Sequence, residues 1–485
     1  MKSHYRDILK HSGVYGLGQV LSRLASVLML PLYTHYLRPA DYGTIAILDL
    51  TAGIVTIIVG GGMVSAVSRY HFDTEVRHEQ NAVWWTGLIV VVVLATAAVA
   101  PAFLFRASLA RLTLGSAQLR GAYFYGLMLP TLWFGTISQI PDQYMRIRKW
   151  SWLTVAVSLG GLIFNIALNI YFVAALGLGV AGVLWGNLTA GVLTALVRFS
   201  VMARACGRPT FRWPVADQLW RFGTPFVLAG LLALVMHQAD RYVLRLFRDL
   251  GEVGLYSLAY TVGQGVYGVF AIPFGAIWGV VVYEIAKQPD AKRAYARIFQ
   301  YYMYALMLFM FGVSLFVRPV FAEFLPAEYM AAVPLVPIVC LAFVFPSVHD
   351  HFRVPALLAK KTVSMLLAFA VGAIANVVLN LLVVPTYGAV GAAWTSVATY
   401  AIFSGVGLLR YRQIDRYEYP LLRCTVVLLA MIASFVACQR VVDGIGVSRI
   451  AAVAVPAVVW LGWAAALLSP LLKEQIFQRT PATAS

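Results

Sequence analysis

Apolar stretches of about 20 residues recur along almost the whole chain, and roughly 14 of them can be counted. Each is long enough to cross a bilayer as a helix, since a helix rises about 1.5 Å per residue and the hydrocarbon core is about 30 Å thick. The longest polar connections, near residues 69–82, 204–220 and 284–298, are each only about 15 residues by pattern. With 61% hydrophobic and 12% charged residues, the chain has little sequence left for a soluble catalytic domain. The sequence therefore predicts an all-α polytopic membrane protein.

Basic residues outnumber acidic ones, 37 to 20, and give a formal net charge of +17. They are scattered among short loops and helix ends and form no polybasic arm, so nucleic acid is not an expected partner. Assigned to alternating sides of the membrane, roughly 24 fall on the inner side and about 10 on the outer side, while Arg23, Arg198 and Arg353 fall within helices. This distribution predicts cytoplasmic termini and an inner face held against anionic membrane lipids.

The first apolar stretch, residues 13–43, carries a charge in its middle, Arg23. At 100° per residue, one stripe beside Arg23 collects Gly16, Gln19, Ser22, Ser26 and Tyr33. A charged side chain at mid-membrane costs roughly 3 kcal/mol, so it usually faces a protein interior or a water-filled cavity. We therefore expect a hydrated helix face on which Gln19, Ser22, Arg23 and Tyr33 bind substrate. The alternative is that Arg23 has only a structural role, either reaching toward the membrane surface or pairing with another side chain.

The chain also contains an internal repeat. At an offset of 211 residues, the matching pairs are Gly43 with Gly254, Lys149 with Lys360, Asn165 with Asn376, Asn169 with Asn380 and Gly177 with Gly388; after a two-residue shift, Gly182 and Trp185 match Gly391 and Trp394. The offset spans six helices, an even number, so the two copies have the same orientation in the membrane. This predicts two six-helix lobes, arranged as a parallel repeat around a central cavity, and two further helices.

The expected boundaries follow from that repeat. They are 12–203 for the first lobe, 204–220 for a cytoplasmic linker, 221–410 for the second lobe, 421–470 for the two additional helices and 471–485 for a cytoplasmic tail.

The seventh and eighth helices carry polar faces. On the seventh, a basic stripe within about 80° contains His237, Arg241, Arg245 and Arg248, with Asp240 beside it. On the eighth, one face collects Tyr256, Tyr260, Gln264 and Tyr267. Aromatic rings with amide and hydroxyl groups suit sugar rings, which present C–H faces and many hydroxyls. We expect Arg241, Tyr256, Tyr260 and Gln264 to bind substrate, with helix-interface packing of the tyrosines as the alternative.

Three acidic residues are candidates for ion coupling: Asp49 on the second helix, Asp240 on the seventh and Asp350 in the segment PSVHDHFRVP. His and Asp at a membrane boundary can bind protons or cations, although a solvated helix end explains Asp350 equally well. The four cysteines form no CxxC pair and no ligand spacing, so neither a metal site nor a disulfide framework is predicted. No cofactor is expected.

A Ser22-Arg23 pair followed by LPLYTHYLRPADYG at residues 30–43 resembles the opening of bacterial polysaccharide flippases of the O-antigen and exopolysaccharide type. Asp240-Arg241 followed by Gly254-Leu255-Tyr256-Ser257 resembles the same family. These flippases share a superfamily with multidrug/cation antiporters and the lipid II flippase. The resemblance implies a substrate of oligosaccharide on undecaprenyl diphosphate, a location in the bacterial inner membrane and a role in polysaccharide assembly, including lipopolysaccharide, alongside other assembly proteins.

A diphosphate is matched by arginine forks, and Arg23 is the first candidate and Arg241 the second. The leading hypothesis is a non-enzymatic flippase that works by alternating access, with the additional helices forming a groove for the polyprenyl tail, as the lipid II flippase suggests. A cation antiporter is the nearest rival, and Asp49 supports it. A membrane polymerase or ligase would need a larger outer loop with catalytic residues. A membrane component of polysaccharide assembly without transport activity would leave Arg23 and the polar stripes unexplained.

Overall fold

The computed structural model describes residue 21 and residues 29–116, 118–361, 363–444 and 449–479, and every regular element in those ranges is helical. The helices are α1 (Leu30–Tyr36), α2 (Pro39–His71), α3 (Arg77–Leu104), α4 (Arg106–Leu114), α5 (Gly121–Ile137), α6 (Gln139–Ile147), α7 (Ser151–Ala175), α8 (Val180–Cys206), α9 (Trp213–Phe247), α10 (Leu250–Ile285), α11 (Ala291–Phe324), α12 (Leu335–Phe352), α13 (Val354–Leu358), α14 (Val363–Arg412), α15 (Leu421–Gly444) and α16 (Arg449–Arg479). Gln19, Ser22 and Arg23 lie outside the described residues.

The helices have the length and composition of membrane spans. Within the described ranges, 10 helices are long and apolar enough to cross a bilayer. One of them, α14, is divided by Gly388, whose φ of 55° and ψ of −135° are not helical, three residues after Pro385. Helices α5 and α10 are strongly apolar as well. The predicted all-helical polytopic class is confirmed.

The repeat predicted from the sequence is present in the backbone. Lys149 and Lys360 both adopt the left-handed conformation, with φ of 58° and 57°. Non-glycine residues rarely adopt this conformation, which here ends the helix before a new membrane span begins. Gly177 and Gly388 also match, with φ of 63° and 55°. Equivalent positions therefore make the same rare turns.

The paired NxxLN segments have equivalent hydrogen bonds. The Asn169 side-chain nitrogen donates to the Asn165 carbonyl oxygen at 2.8 Å, and the Asn380 side-chain nitrogen donates to the Asn376 carbonyl oxygen at 2.8 Å. Both donor residues are completely buried. A buried amide requires a partner, and the preceding helical turn supplies it in each copy.

The two copies meet at their matched glycines. A side chain at Gly43 would overlap the carbonyl oxygen of Leu250, and a side chain at Gly254 would overlap that of Pro39. Leu250 and Pro39 are themselves equivalent in the repeat, so the contact is reciprocal, as at a two-fold axis. This contact between the first turns of α2 and α10 confirms the parallel repeat and explains why both positions lack a Cβ atom.

The connection between the copies is shorter than the predicted linker, 204–220. Helix α8 continues to Cys206 and α9 begins at Trp213, so only residues 207–212 are outside helices. The basic composition of residues 204–220 had suggested a loop. In the structure, the helices on both sides extend into this segment. The additional helices pack on the second copy, where the Trp460 ring nitrogen of α16 donates to the Leu308 carbonyl oxygen of α11 at 3.0 Å.

Candidate functional site

A central cavity of about 320 Å³ lies between the two copies. The first copy contributes α1, α2, α7 and α8, and the second contributes α9 and α10. Its polar lining consists of Tyr33, Tyr42, Asp49, Asn165, Asn187, Gln238, Arg241, Ser257 and Thr261. The remaining lining is apolar, so the cavity places a few polar groups in fixed positions on an apolar wall, which is typical of ligand sites.

Two opposite charges face this cavity from different copies. Asp49 lies about 15 Å along α2 from the helix start, yet it is solvent-exposed because it borders the cavity. Arg241 on α9 is 8% exposed. Among the described residues, neither side chain forms an ion pair. The cavity thus contains a guanidinium and a carboxylate that do not neutralise each other by direct contact.

The Arg241 guanidinium is positioned by an aromatic ring. Its carbon lies 4.4 Å from the centroid of the Tyr260 ring, a cation–π contact. The Tyr260 hydroxyl donates to the His237 carbonyl oxygen at 2.8 Å and lies 2.7 Å from the Tyr400 hydroxyl. The Tyr400 hydroxyl in turn lies 2.7 Å from Nδ1 of His237. Tyr260 therefore presents its face to Arg241 and uses its hydroxyl to hold α9 and α14 together.

Asp240, the residue before Arg241, points away from the cavity into a buried hydrogen-bond network. One carboxylate oxygen accepts from the Arg241 backbone nitrogen at 2.8 Å. The other accepts from the hydroxyls of Tyr256 and Ser396. Because Asp240 and Tyr256 are buried and paired, they fix α9 against α10 and α14 and so set the direction in which Arg241 points.

Asparagines from the first copy complete the central cavity. The Asn165 side-chain nitrogen donates to the Asn187 side-chain oxygen at 2.9 Å, which joins α7 to α8 at the cavity wall. Sequence reasoning used Asn165 only to define the repeat and did not identify Asn187 as a site residue. Polar amides inside otherwise apolar spans were the signal that could have found both.

A second, larger cavity of about 580 Å³ lies mostly within the second copy. We call it the side cavity. It shares Gln238 with the central cavity and contains Gln264, Tyr267, Asp350 and Arg353. Asp350 and Arg353 form an ion pair at 3.3 Å.

The structure separates the predicted site residues into groups. Tyr33, Asp49 and Arg241 line the central cavity, while Gln264 and Asp350 line the side cavity. The one helical face predicted to contain Tyr256, Tyr260, Gln264 and Tyr267 divides along its length: the first two rings are buried in packing, and the last two residues border the side cavity.

A separate apolar cavity of about 230 Å³ lies between α11, α12 and α15, where Phe435 and Met431 of the additional helix α15 contribute to its wall. Among the described residues, no three His, Cys, Asp or Glu side chains come together as a metal site. All four cysteines are buried.

In the described part of the chain, two copies of a helical repeat surround a polar central cavity, and two extra helices pack on the second copy. This fold is similar to that of the lipid II flippase MurJ in an inward closed conformation, with a TM-score of 0.75 and 12% identity over 96% of this chain and 100% of that one. It is also similar to an inward-facing multidrug resistance transporter of the MATE family, with a TM-score of 0.67 and 16% identity over 81% of this chain and 94% of that one.

The chain belongs to the family described as polysaccharide biosynthesis protein, whose model matches residues 8–278, more than half of the sequence. A curated relative is the succinoglycan biosynthesis transport protein ExoT of Rhizobium meliloti (strain 1021), which is 26% identical over 262 residues. That match covers 52% of this chain and 47% of the relative, so it spans about half the length of each. The resemblance predicted from residues 22–43 is confirmed at the level of the family.

Proposed function

We propose that this protein is a lipid-linked oligosaccharide flippase that moves sugar units on undecaprenyl diphosphate across the bacterial inner membrane. The observation that carries the proposal is the Arg241 guanidinium, which borders the central cavity between the copies and forms no ion pair with a described residue. Arginine matches the oxygens of a diphosphate with two parallel hydrogen bonds. A guanidinium held in place with no ion pair to a described residue is available for that ligand.

The physical obstacle to flipping is the diphosphate. Taking its charges out of water into hydrocarbon is very costly, whereas the prenyl chain is already dissolved in lipid. A hydrated cavity with a fixed cation lowers this cost because the head group exchanges water for arginine and polar side chains. Arg23, with Gln19 and Ser22, is proposed to add to this site from the first helix, and Tyr33 lines the same cavity.

Alternating access requires the copies to move against each other. With cytoplasmic termini, as the basic residues predict, the Gly43 and Gly254 contact lies at the outer end of the bundle. The head group then enters from the cytoplasmic side while this contact is closed. Separation of α2 from α10 opens the central cavity to the outer leaflet, and the tail remains in lipid throughout.

The similarity to ExoT favours an exopolysaccharide unit as the cargo, with O-antigen and lipopolysaccharide units as alternatives of the same chemistry. The apolar cavity between α11, α12 and α15 is proposed to take part of the polyprenyl tail. Other polysaccharide assembly proteins are proposed partners, because the sugar unit must be made on one side of the membrane and polymerised on the other.

The test measures leaflet accessibility of a fluorescent undecaprenyl-diphosphate oligosaccharide in proteoliposomes. Without flipping, a membrane-impermeant quencher reaches only the labelled lipid in the outer leaflet of the vesicles. The intact protein is expected to bring the labelled lipid of the inner leaflet to the outer leaflet, where the quencher reaches it as well. Arg241→Gln is expected to slow this at least about ten-fold, the equivalent of losing about 1.4 kcal/mol of interaction. Arg221→Gln, which removes an exposed arginine that pairs with Asp217 four residues before it, is the matched control and should behave as the intact protein.

Movement of the label no faster than in protein-free liposomes would overturn the proposed substrate. Equal rates for Arg241→Gln and the intact protein would overturn the role of Arg241 while leaving the substrate in place.

A second candidate, an antiporter of organic cations, is favoured by one observation, the Asp49 carboxylate in the same cavity, which forms no ion pair with a described residue. Under that function, Asp49→Asn abolishes proton-driven efflux of a cationic dye and Arg241→Gln does not. Under the flippase function, Asp49, Asp240 and Asp350 are candidates only for coupling to an ion gradient.

A further inference from the structure

Asp350 and Arg353 lie between two cavities of the second copy. One is the side cavity, and the other is a smaller cavity of about 210 Å³ between α10, α11, α12 and α13. Both cavities are lined by both residues, whose side chains are 43% and 41% exposed although α12 lies inside the helix bundle. The ion pair is therefore reachable from two sides.

The smaller cavity has an aromatic wall. Phe274 stacks on Trp278 with 5.5 Å between ring centroids and an interplanar angle of 22°. The ring centroids of Tyr302 and Phe274 are 4.1 Å apart, and those of His351 and Tyr302 are 4.8 Å apart. On the other side of the ion pair, the stacked rings of Tyr267 and Phe343 line the side cavity. Flat aromatic faces thus border the charged pair on both sides.

Two ring nitrogens at the smaller cavity lack hydrogen-bond partners among the described residues. His351 Nδ1 lies 3.0 Å from the Ser347 carbonyl oxygen, so Nδ1 carries the proton and donates, which makes Nε2 an acceptor. Neither this Nε2 nor the Trp278 ring nitrogen, a donor, has a partner. His351 and Trp278 are 1% and 6% exposed. Buried polar atoms without partners are rare, and these two are enclosed within residues that form the wall of the smaller cavity.

The combination selects one class of ligand. An anion or a cation would engage only one member of the Asp350–Arg353 pair, and an apolar ligand would engage neither. A neutral sugar ring engages both, since its hydroxyls donate to the carboxylate and accept from the guanidinium, and its C–H faces pack on the aromatic rings. We propose that the Asp350–Arg353 pair and its two aromatic walls form a sugar-binding subsite, separate from the central cavity that takes the diphosphate.

This proposal rests on the proposed function for its biological role, because the sugar would be part of the lipid-linked cargo. The side cavity shares Gln238 with the central cavity, so the two cavities adjoin at that residue, between Arg241 on one side and Asp350 on the other. An oligosaccharide can then place one ring on each side of the ion pair.

The test measures thermal unfolding of the purified protein in detergent with two kinds of probe. The first is a panel of neutral sugars, namely glucose, galactose, mannose, maltotetraose and cellotetraose, and the second is inorganic pyrophosphate. We expect at least one sugar to raise the unfolding midpoint of the intact protein. Trp278→Ala and Asp350→Asn are expected to require at least ten-fold more of that sugar for the same shift.

The controls show that the variants are folded and that the effect is local. Trp213→Ala, which removes a tryptophan that is 74% exposed, should respond to the sugar as the intact protein does. Pyrophosphate should stabilise Trp278→Ala and Asp350→Asn as it stabilises the intact protein. The conservative Asp350→Asn preserves side-chain volume, so it provides the answer if Trp278→Ala fails to fold.

No shift with any sugar of the panel, or an unchanged sugar response in Asp350→Asn, overturns the subsite. If the subsite fails, the intact protein still flips the lipid-linked oligosaccharide and responds to pyrophosphate. If the proposed function fails, the label does not move in proteoliposomes while the sugar response of the purified protein persists.

Discussion

The two copies of the repeat differ in their side chains where α5 bends into α6 and where α12 bends into α13. In the repeat, Ser138 and Asp142 of the first copy are equivalent to His349 and Arg353 of the second. After the two-residue shift, Arg198 of α8 is equivalent to Gly407 of α14. Equivalent backbone positions therefore carry different side chains at three places, and at one of them the charge is reversed.

In the first copy these side chains close the bend. Arg198 pairs with Asp142 at 3.0 Å, and Asp142 also pairs with Arg146 at 2.8 Å. Nη2, the Arg198 nitrogen that faces Asp142, also donates to the Ser158 hydroxyl, and Nη1 donates to the Ser138 hydroxyl, each at 3.1 Å. The space between α6, α7 and α8 is filled by a connected polar cluster.

In the second copy the equivalent space is occupied differently. Gly407 leaves room for the His349 ring, whose Nδ1 would lie only 2.6 Å from a Cβ atom at that position. The ring stacks on Phe403 with 3.8 Å between centroids. Asp350 and Arg353 then face open cavities. One repeat thus provides both a rigid support, in the first copy, and a pocket, in the second.

The largest expected effect is on the closed cluster of the first copy. Asp142→Asn leaves Arg198 largely buried without its carboxylate, and breaking a buried pair in this way costs roughly 3–5 kcal/mol. We expect a large fall in the unfolding midpoint of the detergent-solubilised protein. Asp350→Asn, the matched change in the open pair of the second copy, should cost less than about 1 kcal/mol because that pair is two-fifths exposed. Equal losses in the two variants would refute the contrast between the copies.

The next effect concerns the contact at which the copies are alike. Gly43→Ala places a methyl group against the backbone of Leu250, and overpacking of this kind costs roughly 1–3 kcal/mol. Gly160→Ala is the control, since nothing lies within 4 Å of that position. It should stabilise α7 by about 0.5–1 kcal/mol, the usual gain from replacing a helical glycine. We therefore expect Gly43→Ala to lower the unfolding midpoint and Gly160→Ala to raise it. An unchanged midpoint in Gly43→Ala would show that α2 and α10 are not in close contact.

The smallest effect is at the left-handed lysines. Left-handed backbone costs a non-glycine residue roughly 1–2 kcal/mol, so Lys149→Gly and Lys360→Gly should each stabilise the protein by up to about 1 kcal/mol. Thermal unfolding of the two variants checks this. Because the conformation is the same in both copies, the two gains should agree, and a gain in one accompanied by a loss in the other would contradict the equivalence of the turns.

Helical periodicity and the internal repeat predicted much of this architecture, because both are visible in the order of residues along the chain. The stripe on α9 indicated Arg241, which the structure brings to the central cavity. The same reasoning could not separate Tyr256 and Tyr260 from Gln264. All three lie on one face of α10. Near Tyr256 and Tyr260 this face packs against side chains of α9 and α14, whereas near Gln264 it borders an open cavity.

The difference between Arg198 and Arg353 also required the structure. Both are arginines within predicted helices, but one is enclosed by Asp142 and serines and the other faces cavities. Their surroundings come from helices distant in the sequence, so neither composition nor spacing distinguishes them.

The proposed function requires that the cavity between the copies opens alternately to the two sides of the membrane. A direct test labels a cysteine at Ala46, a small residue that lines the central cavity, with a membrane-impermeant maleimide. The four native cysteines are buried and give little background. With the Gly43 and Gly254 contact closed, we predict labelling from the cytoplasmic side alone, and labelling from both sides once undecaprenyl-diphosphate oligosaccharide is added in proteoliposomes. Labelling that stays confined to one side in the presence of this substrate would contradict the account.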